Sequence, residues 1–158
     1  AMTKLRLDHT FFENETRPHL GALLVQSRLL RPEQLDQALD AQRGTGRRLG
    51  DVLIELGFLF EQDISRAIAL QNDVPYLDLQ ASSVDKRAAS RMRADVGEWL
   101  RAIPVRFEDD GLLVAVADPW ETPRRTLVAE TGCKVRICVA DPSEIAVAWS
   151  RLLRGQRT

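Results

Sequence analysis

Histidine and cysteine are scarce in this chain, with two of each among 158 residues. That scarcity empties most catalytic templates. His9 and His19 have no cysteine or serine partner nearby in sequence. Cys133 and Cys138 have no histidine close by, which argues against zinc. They read as plain thiols of a reduced, cytoplasmic protein. There is no G-x-x-x-x-G-K-[ST] phosphate loop, and no H-E-x-x-H, G-x-S-x-G or C-x-x-C. No apolar run approaches the roughly 20 residues of a membrane span. No secretory leader is expected, because Lys4, Arg6 and Asp8 interrupt the start. Ala1 ahead of Met2 reads as a tag-cleavage scar, and the chain as a piece of something longer. These absences exclude the familiar hydrolases and metalloenzymes, and no resident cofactor is expected.

Charge is nearly balanced, at −1, which argues against a general DNA or RNA binder. The cations are skewed to 19 Arg against 3 Lys. Arginine offers a planar fork for phosphate and guanine edges, although a biased genome gives the same skew. An apolar fraction of 44% suffices for a buried core in one large or two small domains.

What the chain does have is a sentence written twice. HLGALLVQSRLLRPEQLDQALDAQ (19–42) returns as RLGDVLIELGFLFEQDISRAIALQ (48–71) after the spacer RGTGR. At an offset of 29, Leu20/Leu49, Gly21/Gly50, Leu24/Leu53, Leu30/Leu59, Ala38/Ala67 and Gln42/Gln71 are identical. Two copies are too few for a solenoid. They suggest a local two-fold, which suits a ligand that is itself two-fold. Each copy predicts two helices. The first spans Leu20–Gln26, and Leu49–Leu56 in the second copy. The next starts at Pro32, a residue suited to a first helical turn. Leu35, Leu39 and Gln42 fall at i, i+4 and i+7 on one face, as do Ile64, Ile68 and Gln71. Gly57 ends a helix in the usual way, whereas Arg28 stands at that place in the first copy.

Composition changes after Asn72. Val74–Leu79 reads as a turn and short strand. Helices are expected at Asp85–Met92, Asp95–Arg101 and Thr122–Glu130. A further helix, capped at Asp141 with Pro142 and Glu144 behind it, runs to about Arg154. Strands are expected at Ala102–Phe107, Leu112–Ala117 and Lys134–Val139, with a hairpin at Glu108–Gly111. The fold class is α+β. Residues 1–16 form a leader or arm, 17–74 a helical tandem-repeat ligand-binding subdomain, and 75–154 a small α/β subdomain with a short mixed sheet.

The repeats also hold the chemistry. His19-Leu20-Gly21 and Arg48-Leu49-Gly50 each open a helix, whose free N–H groups suit phosphate. Glycine admits a close ligand or backbone. Arg48 could pair with phosphate or guanine. Gln42 and Gln71 each offer a donor and an acceptor to a purine edge. Leu35, Leu39, Ile64 and Ile68 could cover base faces. The plainer alternative makes the Leu/Ile set ordinary core and each Gln a helix cap.

The doubled RLGxxLxxxGxLxxxxLxxALxxQ pattern resembles the MshEN domain, the N-terminal domain of type II secretion and type IV pilus assembly ATPases. PYLDL, AIPVRFEDDGLLVAVADP, the TG turn and DPSEIAVAWSRLL resemble the same family, so the likeness covers about 17–154. It implies one cyclic di-GMP per chain, half to each repeat. It carries over to Leu20, Gly21, Leu35, Leu39 and Gln42, and to Arg48, Leu49, Gly50, Ile64, Ile68 and Gln71. His19 stands where the family has Arg, with Arg17 nearby to compensate. Arg28 stands where the family has Gly. Asp51 and Asp118 match the family's acidic positions, against simple roles as a helix N-terminal charge and an N-cap. The implied protein is a regulatory domain whose effector is an attached or partner ATPase. A docking module without nucleotide, and a sensor on a glycosyltransferase or exopolysaccharide machine, are the alternatives.

Overall fold

In the computed structural model, described for residues 20–80 and 82–157, the architecture is α+β. The chain divides into two compact units, Ala1–Ala67 and Ile68–Thr158. The division falls inside a helix, ahead of the boundary read from the change in composition. The expected leader, 1–16, lies outside the described residues.

Four helices make up the repeats: α1 (Leu20–Gln26), α2 (Pro32–Gln42), α3 (Leu49–Glu55) and α4 (Glu61–Gln71). The second pair reproduces the first at an offset of 29, residue for residue at both ends. Periodicity explains why. Leu24 and Leu53 are fully buried, Leu30 and Leu59 lie at 3% and 9% exposure, and Ala38 and Ala67 at 0% and 6%. Three of the six identical pairs are therefore core in both copies.

The helix ends repeat as well. Leu29 N–H donates to the Leu24 carbonyl and Arg28 N–H to that of Val25. Phe58 donates to Leu53 and Gly57 to Ile54 in the same way. These are paired Schellman closures, and they need a left-handed residue. Gly57 takes it at φ 80, and Arg28 takes it at φ 64. Arginine thus adopts a conformation that disfavours a Cβ by about 1–2 kcal/mol. The starts of α2 and α4 are held alike: Gln34 Oε1 accepts from Arg31 N–H at 2.9 Å, and Asp63 Oδ2 from Phe60 N–H at 3.0 Å.

The second unit holds α5 (Lys86–Ala89), α6 (Ala94–Leu100), β1 (Ala102–Glu108), β2 (Gly111–Val116), α7 (Arg124–Thr131), β3 (Val135–Val139) and α8 (Pro142–Arg157). The sheet order is β1-β2-β3, with β1/β2 antiparallel and β2/β3 parallel across α7. Pro104 sits on an edge strand, where its missing N–H is tolerated. The register shifts between Pro104 and Arg106, and the freed Val105 carbonyl accepts from Asp85 N–H at 2.8 Å. The expected strand over Val74–Leu79 reduces to one bridge, Tyr76 to Val139, continued by Leu77 N–H to the Val139 carbonyl. Pro75 has no N–H, so a longer ladder cannot form on that side. The α5 helix is a single turn and shorter than expected.

Trp149 of α8 anchors this unit. Its indole N–H donates to the Ala102 carbonyl at 2.8 Å. A Cβ on Gly97 would lie 2.3 Å from its ring, so only glycine lets α6 and α8 approach there. Cys138 is buried on β3, and burial pushes its thiol up to about 12. Glu108 and Arg136 clasp in a bidentate pair at 2.9 and 2.7 Å. That guanidinium holds the Glu108 carboxyl below its usual range.

Candidate functional site

Gly21 and Gly50 carry the packing of each repeat. A Cβ on Gly21 would meet Leu35 Cδ1 at 2.7 Å, and one on Gly50 would meet Ile64 Cγ2 at 3.0 Å. Each first helix therefore rests on the aliphatic face of the helix that follows it. Leu35, Ile64 and Ile68 lie on the expected faces, and with Leu20 they also take part in burial. Leu20 is 8% exposed, and Ile64 and Ile68 are each 7% exposed. Leu35 and Leu49 are half-buried.

Leu39 departs from this pattern. It is 39% exposed, whereas its counterpart Ile68 is closed off. The first copy thus leaves an aliphatic side chain open on the face that ends in Gln42. Gln42 itself is half-buried. Its Nε2 donates to the Arg47 carbonyl at 2.9 Å, clamping the spacer. Gln71 is also half-buried and has a partner of its own.

The spacer 43–47 is well determined by its residues. Gly44 and Gly46 adopt φ 77 and 72, and Thr45 between them donates to the Gln42 carbonyl at 2.6 Å and accepts from Arg47 N–H at 3.1 Å. Arg47 pairs with Glu55 at 2.6 Å, and that carboxylate raises the guanidinium pKa above its usual value. Arg48 follows as the exposed N-cap of α3, with Asp51 exposed in the first turn. Arg48 is already engaged by a partner.

Sequence reasoning passed over Gln34, Thr45, Arg47 and Asp63. An offset of 29 links Gln34 with Asp63, two different residues with one function, and identity matching alone hides such a pair. Asp118 lies in the second unit and is 5% exposed. Its Oδ1 accepts from Trp120 N–H at 2.9 Å, and its carbonyl accepts from Thr122 and Glu121. It organises a turn, as an N-cap-like Asp would. Arg17 and His19 lie outside the described residues. Among the described residues no group of three His, Cys, Asp or Glu side chains is placed to hold a metal. No described helix is long and apolar enough to cross a membrane.

The fold and the doubled helical pair define a small α+β protein in which a tandem helical repeat precedes an α/β unit in sequence. The MshEN domain family matches residues 72–158, and the chain belongs to that family. A solved structure of MshE with cdg is 33% identical, with a TM-score of 0.74, over 86% of this chain and 99% of that one. The N-terminal domain of XpsE shares the fold at 22% identity and a TM-score of 0.68, over 87% of this chain and 94% of that one. Bacteriophage adsorption protein B of Escherichia coli is 29% identical over 140 residues, which are 86% of this chain and 19% of that protein. The type IV pilus assembly ATPase PilB of Thermus thermophilus is 34% identical over 105 residues, 65% of this chain and 12% of PilB. The chain thus spans under a fifth of these curated relatives.

Proposed function

We propose that this domain binds one cyclic di-GMP between its two repeats and regulates an effector, and is not itself a catalyst. One observation carries the reading. Most identical pairs of the repeat are accounted for by packing, but Gln42/Gln71 is not, since neither side chain is core. A donor-acceptor pair kept in both copies, each beside an aliphatic face, suits two equivalent purines. The likeness to MshE with cdg, read as cyclic di-GMP, supports the same ligand. Arg48 would meet phosphate or guanine, with His19 and Arg17 in the corresponding role of the first copy. Asp51 and Asp118 remain candidate contacts.

The relatives are of two kinds, a pilus ATPase and a phage adsorption protein. That variety favours a transferable regulatory module with an interchangeable effector. Within this proposal the ATPase is the first candidate effector and a glycosyltransferase or exopolysaccharide machine the second. The place of action is the cytoplasm.

A ligand that binds only the folded state raises its melting temperature. Cyclic di-GMP should do so here, and GMP should do so much less at equal concentration. The Arg48→Ala chain should lose most of the increment. No increment for the unmodified chain at a hundred micromolar ligand would remove the proposal. The docking-module reading would then lead, and one feature favours it: Phe60 is 81% exposed, a large apolar side chain open to a protein partner.

A further inference from the structure

A second feature lies wholly within the α/β unit. The loop joining α5 to α6 and the last turns of α8 enclose a half-open groove of about 300 Å³. Ala89, Met92, Trp149 and Leu152 line it. Ala89 is 2% exposed, and Met92 and Trp149 are 3% exposed, so the floor is recessed and apolar. Lys86 and Arg93 also line it and are exposed. Arg93 pairs with Asp95 at 2.8 Å, while the Lys86 ammonium makes no hydrogen bond or ion pair among the described residues.

In sequence, the segments that line the groove carry more cations than acids. Residues 86–93 contain Lys86, Arg87, Arg91 and Arg93 and no acidic residue. The end of α8 adds Arg151 and Arg154, both exposed. Asp85, Asp95 and Glu98 are the nearby acids in sequence, and Asp85 caps α5 through Arg87 N–H. In a chain whose net charge is −1 this is a local excess of cations. At about 300 Å³ the groove sits at the bottom of the range of ligand pockets, roughly 300 to 1,000 Å³, and has room for one bulky side chain. A membrane surface would need protruding apolar side chains, and these are sunk.

We propose that the groove is a docking site for an acidic peptide segment that seats one bulky apolar side chain on Trp149 and Met92 and sets carboxylates against Lys86 and Arg93. Recognition of an acidic motif by clustered cations follows the same logic elsewhere. The contact would weaken with salt, because its charges stay exposed.

The test uses the full chain and a fluorescein-labelled twelve-residue peptide of Glu, Asp and Leu with a central Trp. Its counterpart replaces Glu and Asp by Gln and Asn. Anisotropy at low salt should show the acidic peptide binding at least tenfold more tightly than its counterpart. Lys86→Glu with Arg93→Glu should remove at least tenfold, with an unchanged melting curve. Ser90→Trp, which narrows the groove from an exposed position, should also weaken binding, and the Trp149 indole N–H resonance should shift on titration. Equal binding of the two peptides, or of the acidic peptide to the reversed-charge chain, would overturn the proposal. So would shifts of the Trp149 resonance with dodecanoate or anionic phosphatidylglycerol vesicles but not with the peptide.

Discussion

The two repeats share a backbone and differ in how they are finished. Helix ends, Schellman closures and reach-back caps coincide at an offset of 29. The first copy nevertheless strains an arginine where the second has a glycine, and leaves Leu39 open where Ile68 is shut. Packing enforces the shared part, because a changed core residue costs stability at once. In the first copy Arg28 and Leu39 are exposed, so these positions can drift or specialise. Sequence identity between the copies is therefore a map of burial first and of ligand chemistry second.

The largest expected effect tests the shared part. Leu24→Ala and Leu53→Ala each remove a fully buried side chain and should each cost about 2–5 kcal/mol. Chemical denaturation should give similar losses for the two. A loss confined to one copy would break the structural equivalence. Ligand chemistry comes next. Arg48→Ala should weaken cyclic di-GMP by about 1.5–3 kcal/mol, a charged hydrogen bond, and His19→Ala by less, since neutral imidazole is the poorer phosphate partner. Affinity should rise as pH falls through the usual histidine range only if His19 meets phosphate. Equal losses for the two substitutions would erase the asymmetry.

A smaller effect belongs to the closures. Arg28→Gly should stabilise by about 1 kcal/mol and Gly57→Arg destabilise by a similar amount, from the left-handed conformation alone. Thermal melts decide it, and a destabilised Arg28→Gly would mean that the arginine side chain contributes more than its backbone costs. The smallest effect is a control outside both copies. The carboxyl of Glu108 is held below its usual range by Arg136, so its contribution is present above the ordinary glutamate range. It is lost as pH falls through the lowered folded value. Arg136 is half exposed and Glu108 half-buried, so solvent screens the pair, and Glu108→Gln should shift the melting temperature only slightly at pH 7 and less still at pH 3. Affinity for cyclic di-GMP should not respond.

Most of the helical frame could be read from the chain because its signals are local. Pro32 marks a first turn, and the i, i+4, i+7 faces are visible in the residues. What could not be read depends on partners distant in sequence or on backbone geometry. Nothing local says that Arg28 will turn left-handed, that Val105 will slip out of register to meet Asp85, or that Gly97 faces a Trp149 ring. The groove beside Lys86 joins residues more than fifty positions apart, with no periodic trace. For the candidate site, the faces were legible. The engagement of Gln42 by the Arg47 carbonyl was not, because the spacer's path depends on two left-handed glycines. That bond makes Gln42→Ala a mixed test, expected to loosen the spacer as well as the ligand.

The central claim is that two unequal repeats make one site. Calorimetric titration of the full chain with cyclic di-GMP tests it most directly, through stoichiometry. The account expects one ligand per chain, with GMP binding far more weakly because it fills only half the site. Two ligands per chain, or no heat at tens of micromolar, would contradict it.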